Sequence, residues 1–323
     1  MGKIIVLSFV CLSLFSSCKK KSINCDRVCT YAETKLFNFG FEDVELIQSG
    51  NSAGIIGLDS GYPDLNNWDS WLQGKNEYGS LSILYEDGDI SERIAELVTD
   101  PENPDNTVLH FDIKSPNVYE GDSPVKARTQ MQLHNATCIK EYYQKVDLYF
   151  PSELALLSNY SEQIYWLSIF ELWNNANWTK EKYPFRITVG LQKEEGVGNP
   201  IYFDAEAQLV TKFGSFKNVW SEVNTNFEVP FGQWMTLEIY ILEGNETNGK
   251  FYSAVTPYGE SKQVLFEIDN ATQHPKEKCA DGFTHIHPLK WYTSDKIVNY
   301  MKDNGESLAV YWDNWEVWVN KAP

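Results

Sequence analysis

Positive charge is what this 323-residue chain has least of: 27 Lys and Arg stand against 45 Asp and Glu, a net charge of −18. Neutralising phosphates takes clustered cations, so nucleic acid is excluded as a partner. The balance also weighs against polyanions, although a local basic cleft can override an average. Histidine is scarce, five in all and scattered, and the six cysteines include no paired CxxC signature. Spacing therefore indicates no metal centre. Beyond residue 15 no apolar run is long enough to span a bilayer. Internal repeats and low-complexity tracts are absent, and helical periodicity is weak, best over Ser91 to Val98.

What the chain does have is rings. Aromatic residues make up 14% of it, with 11 Trp and 18 Tyr. Much of that fills core, but a surplus of Trp and Tyr also suits flat, ring-shaped ligands. The N-terminus reads as a signal: Lys3, an apolar run from Ile4 to Phe15, then Ser16-Ser17-Cys18. The stretch "LFSSC" resembles a bacterial lipobox, which implies that Cys18 carries a lipid. The boundaries expected are a signal peptide over 1–17, a polar tether over 18–36 beginning with Lys19-Lys20-Lys21, and one domain over 37–323. The expected location is the outer membrane, on the cell surface or the periplasmic face. Cys25, Cys29, Cys138 and Cys279 form an even set in an oxidising compartment, so disulfides are expected. Cys25–Cys29 with Cys138–Cys279 is the least strained pairing; other pairings stay open.

From Phe37 onward short alternating segments recur between turn clusters such as "DPENPDN" and "EGNETNG". That is the pattern of an all-β sandwich or barrel. In "RTQMQLH", Thr129, Met131 and Leu133 form one set and Arg128, Gln130, Gln132 and His134 the other. Period-two alternation puts the two sets on opposite faces of a sheet. Phe185, Ile187, Val189 and Leu191 likewise oppose Arg186 and Thr188. Phe203, Ala205 and Ala207 oppose Asp204 and Glu206. Met235, Leu237 and Ile239 oppose Trp234, Glu238 and Tyr240, and Leu109 and Phe111 oppose His110 and Asp112. The non-core sets carry long hydrogen-bonding groups, and the expectation is that they share one trough.

The order of these segments resembles the concanavalin-A-like jelly rolls, a superfamily that includes many glycan lyases, glycan hydrolases and lectins. "FNFGFED" and "LAVYWDNWEVW" look like its first and last strands, which lie side by side. "ARTQMQL" with "YQKVDLYFPSEL" looks like the Arg strand and the next strand of polysaccharide lyases related to heparin and alginate lyases. "FGQWMTLEIYI" with "GKFYSAVTPYG" looks like their Trp-containing strand and hairpin. The resemblance implies a β-sandwich with a concave, glycan-binding face. Where those lyases carry a Gln-x-His pair, "SIFELWNN" has Glu171 and Trp173, and Lys290 and Tyr292 in "HPLKWYTS" are similar to their Lys and Tyr strand.

Three functions follow. An endo-acting glycoside hydrolase needs two carboxyl groups across the scissile bond. Glu171 and Glu206 are the expected pair, two strand spacings or roughly 9–10 Å apart, with Glu171 raised in pKa between Ile169 and Trp173 to serve as the acid. A polysaccharide lyase would use Arg128, Gln130 and His134 to neutralise a uronate, and Tyr240, Tyr292 or His134 to move the proton. A non-catalytic glycan-binding lipoprotein would stack sugars on Trp173, Trp178, Trp234 and Tyr240. Hydrolysis is placed ahead of elimination, with binding alone kept open. Arg128, Gln130, Gln132, His134, Trp173, Arg186, Glu238 and Tyr240 are the expected contacts to a polysaccharide or oligosaccharide. No cofactor is expected; Glu42, Asp43 and Asp313 have the oxygen ligands that a structural Ca²⁺ prefers.

Overall fold

The computed structural model describes residues 32–42, 44–49, 52–57, 80–85, 87–176, 178–211, 215–278 and 282–323. The signal-like segment, Cys18, Asp43 and all cysteines but Cys138 lie outside the described residues. Cys138 itself is disulfide-bonded.

Two antiparallel sheets face each other across one core. The smaller sheet runs β16 (Gln263–Asp269), β15 (Lys250–Pro257), β14 (Gln233–Leu242), β9 (Glu141–Phe150), β19 (Leu308–Val319), β6 (Thr107–Ile113), β5 (Arg93–Thr99), with β1 (Thr34–Phe39) also on β19. The larger sheet runs β13 (Phe216–Glu228), β12 (Tyr202–Val210), β11 (Phe185–Gln192), β10 (Ser168–Asn174), β17 (Phe283–His287), β8 (Ser123–Ile139), β4 (Ser80–Leu84), β3 (Ser52–Gly57), β2 (Val44–Ser49). β18 (Lys290–Ser294) continues the line of β17 between β10 and β8, and β7 (Val118–Glu120) adds to β8.

This is a jelly-roll β-sandwich. The first and last strands pair from Thr34↔Val319 to Phe39↔Trp315, and the first strand begins ahead of Phe37.

The period-two sets decide which face meets the core. Phe185, Ile187, Val189 and Leu191 are all fully buried in it, as are Met131, Leu172, Phe203 and Leu237. Large rings fill the middle: Phe150 stacks on Trp291 at 5.8 Å, and Phe37 on Trp315 at 4.7 Å. Each such side chain contributes about 1.5–3 kcal/mol by leaving water.

Ser91 to Val98 is not a helix. Arg93–Thr99 forms β5, paired with β6 from Arg93↔Ile113 to Thr99↔Thr107. Sheet pairing and the burial of Ala95 override a weak local helical pattern. The α-helix of the described residues that sequence periodicity missed, α1 (Asp295–Asp303), buries Ile297, Val298 and Met301.

Candidate active site on the larger sheet

β8 presents Arg128, Gln130, Gln132 and His134 on the face away from the core, because Thr129, Met131 and Leu133 occupy the other. Register then decides who stands beside whom. On β8, Gln130 lies opposite Lys290 and Arg128 opposite Tyr292 of β18, and His134 lies opposite His285 of β17. On β10, Glu171 lies between His287 and Thr188, and Trp173 between His285 and Arg186. Thr188 in turn pairs with Glu206 of β12, and Arg186 with Gln208. Arg128, Gln130, Gln132, His134, Glu171, Trp173, Arg186 and Glu206 therefore share one face, with Glu171 and Glu206 two spacings apart.

Glu238 and Tyr240 do not join them. β14 belongs to the smaller sheet, where Glu238 accepts from the Tyr143 hydroxyl at 2.7 Å and meets Lys262 at 2.5 Å. The Tyr240 hydroxyl donates to Glu141 at 2.7 Å. Trp234 is on that sheet too, donating to Asp100 at 3.0 Å. The face parity of β14 is as expected, but parity does not say which sheet a strand enters. The carboxylate of Asp313 is occupied by amides, accepting from Asn106 Nδ2 at 2.9 Å and from the Asn314 backbone N–H at 2.7 Å. Among the described residues no group of three His, Cys, Asp or Glu is placed to hold a metal ion.

Glu171 is the electrostatic centre of the face. Its carboxylate is 2.7 Å from Lys290 Nζ, 3.4 Å from His287 Nδ1 and 3.9 Å from Arg186 Nη1, and it accepts from Trp173 Nε1. Burial alone would push its pKa up, but Lys290, His287 and Arg186 outweigh burial and hold the carboxyl well below its usual range. This corrects the expected raised pKa: an apolar neighbour on either side along the strand matters less than three donors across it. Burial pushes the Lys290 ammonium down to about 8, helped by Arg128 and Arg186 and opposed by Glu171. Both groups are thus charged at neutral pH, an ion pair with 4% and 1% of each residue exposed.

Beside this pair lies a cavity of about 510 Å³, which Glu171 does not line. Lys126, Arg186 and Glu206 supply its charges, and Tyr165, Trp166, Phe216 and Tyr292 its rings. Arg186 is held in place by donating from Nε to Gln208 at 2.6 Å and lying 3.7 Å over the Phe216 ring. Tyr292 packs on Trp166 at 4.8 Å, with Lys290 Nζ 4.7 Å and the Arg128 guanidinium 5.5 Å from its ring. Burial raises Glu206, against the pull of Arg186. The arrangement can bind a ring, neutralise a carboxylate through Arg186, and exchange a proton at the Tyr292 or Glu206 oxygen.

Asp204, two residues before Glu206, is a further buried acid. Glycine at 190 gives it room: a Cβ there would stand 3.0 Å from Asp204 Oδ1 and 3.0 Å from the Leu167 carbonyl. Burial lifts its carboxyl to about 8, and Glu206 adds to the effect. Between 3.8 and about 8 the folded state then holds a proton that the unfolded state has lost. This group therefore makes stability fall as pH rises through that window, by at most about 1.4 kcal/mol per pH unit. Asp204→Asn should remove that component, so the variant gains on wild type with each step of pH in urea titrations. Parallel curves would refute the assignment.

No protein-family model matches this chain, and no curated protein matches it. Solved structures of similar layout exist. A marine PL-14 alginate lyase from Aplysia kurodai is 8% identical, covering 88% of this chain and 99% of its own, with a TM-score of 0.49. An endo-β-1,4-glucuronan lyase from Trichoderma reesei is 12% identical over 73% and 95%, at 0.42. An exolytic PL7 alginate lyase from Zobellia galactanivorans is 9% identical over 88% and 96%, at 0.41.

Proposed function

We propose that the larger sheet binds an acidic polysaccharide and cleaves it by β-elimination at a uronate. One observation carries this: Glu206 is the single carboxylate among the residues lining the cavity, while two cations, Lys126 and Arg186, and two phenols, Tyr165 and Tyr292, line it with Glu206. Hydrolysis needs two carboxyl groups facing the bond, and Glu171 is turned into an ion pair instead. In a chain of net charge −18, Lys126, Arg128 and Arg186 on one face also form a local basic patch, with Lys290 neutralised by Glu171.

Arg186 would hold the uronate carboxylate and stabilise the charge that spreads onto it when the neighbouring carbon loses its proton. That proton passes to the oxygen of Tyr292, which enters the step as the phenolate, the freed electron pair becomes the ring double bond, and the glycosidic C–O bond breaks. The departing oxygen takes the proton back from Tyr292, so the enzyme returns to its starting state.

The test is a panel of neutral and acidic polysaccharides followed by ultraviolet absorbance and by reducing ends. Conjugated, unsaturated ends from uronate polymers alone are the expected result. Reducing ends without absorbance would establish hydrolysis, with Glu206 as one carboxyl group. Retention without products would establish a glycan-binding protein.

The proposed location is the outer membrane, with Cys18 lipidated and the domain on the cell surface or periplasmic face. The N-terminal sequence supports it. Cys18→Ala should move the protein from the membrane to the soluble fraction.

A further inference from the structure

At the β8–β17 end of the same face, beyond the cavity, three imidazoles converge. His134 and His285 have ring centroids 5.1 Å apart, and His134 and His287 6.1 Å. Trp178 hangs over them, 5.4 Å from His285 and 6.5 Å from His287, its plane within 14° of the latter. It stands edge-on to Trp173 at 5.1 Å and is 52% exposed.

Two of these imidazoles carry a buried nitrogen with no hydrogen-bond partner, His134 Nε2 and His287 Nε2, and on β8, four residues before His134, Gln130 Oε1 is likewise unpaired. Gln130 and His287 are each 1% exposed. A fold seldom keeps several such atoms on one face unless a ligand pairs them, because each is costly to leave unpaired.

Their chemistry specifies that ligand. Burial lowers the pKa of all three imidazoles, His134 to about 4 with help from His285 and Arg128, and His287 to about 3. The rings are neutral, each with one donor and one acceptor, and Gln130 Oε1 only accepts. Hydroxyl groups, which donate and accept, satisfy this set. A carboxylate finds no counter-charge among the three neutral rings.

We propose that this end is a second subsite, holding an uncharged, hydroxyl-bearing sugar unit against Trp178, with His134, His287 and Gln130 of the same face supplying its hydrogen bonds. This rests on the polysaccharide reading above and narrows it. From β11, which carries Arg186, to β8 is three strand spacings, roughly 14 Å, a length that several linked sugars span. Lys126, Arg128 and Arg186 supply cations to the face, and the three neutral imidazoles add none. The substrate is then a heteropolymer in which uronates alternate with neutral sugars, not a homopolyuronate.

The experiment compares the full chain with its Trp178→Ala variant on two probes: a homopolyuronate, and a polymer alternating uronate with a neutral hexose. Kd and the rate of unsaturated product are both read. Trp178 is half-exposed on a turn, so its removal leaves the core intact. Wild type should bind the alternating polymer about tenfold more tightly, and Trp178→Ala should lose about that factor on it and little on the homopolyuronate. Equal affinity for both polymers, with Trp178→Ala indifferent, would overturn the subsite and leave elimination standing. Failure of both polymers to bind would overturn the polysaccharide reading, and the subsite with it.

Discussion

Lys290→Met should lower the unfolding free energy by about 3–5 kcal/mol, because it leaves the Glu171 carboxylate buried without its main counter-charge. Neither remaining cation takes over readily. Arg186 is 3.9 Å away and committed to Gln208 and Phe216. His287 sits closer, but burial holds its pKa near 3, so charging it carries its own cost. Glu171→Gln together with Lys290→Met should recover most of the loss, since the amide oxygen still accepts from Trp173 Nε1 and no charge remains buried. Urea midpoints at constant m-value measure both effects. A single variant within about 0.5 kcal/mol of wild type would show that the pair is solvated and that Glu171 is not pinned; surface changes commonly fall in that range.

The same pair shows what the sequence could and could not reveal. Alternation in β8, β11 and β12 was enough to separate core from non-core side chains, since each core-facing set is buried and each polar set shares one face. The likeness of the end strands placed β1 beside β19. Partners across strands were beyond reach, because Lys290 stands 119 positions from Glu171 and is joined to it only by register.

"HIHPLK" did hold a signal. His285 and His287 share one parity and Lys290 and Tyr292 the other, yet all four reach the same face. Pro288 and Leu289 divide the run into β17 and β18 and shift its phase, with Leu289 turned into the core. A proline inside an alternating run marks such breaks. Glu238 and Tyr240 fail for a different reason: both sheets of a sandwich have an outer face, and alternation looks the same on each.

Tyr292→Phe should lower kcat by about 10²–10⁴-fold on a uronate polymer while KM changes little. The variant keeps the ring that packs on Trp166 and removes only the oxygen that carries the proton. Charge placement supports the role: an ammonium and a guanidinium flank the ring, and both offset negative charge on the phenol oxygen during transfer. Glu206→Gln separates this chemistry from hydrolysis. If Glu206 only shapes the cavity, its amide isostere should retain turnover within about tenfold, and the Arg186–Gln208 contact should persist. If Glu206 is instead one of two hydrolytic carboxyl groups, the amide loses the proton-transfer oxygen and turnover collapses, while Tyr292→Phe leaves it standing. The two substitutions thus give opposite patterns for the two reactions. Unsaturated ends accompanying loss at Tyr292 assign the proton transfer to the phenol, and reducing ends accompanying loss at Glu206 assign it to the carboxyl.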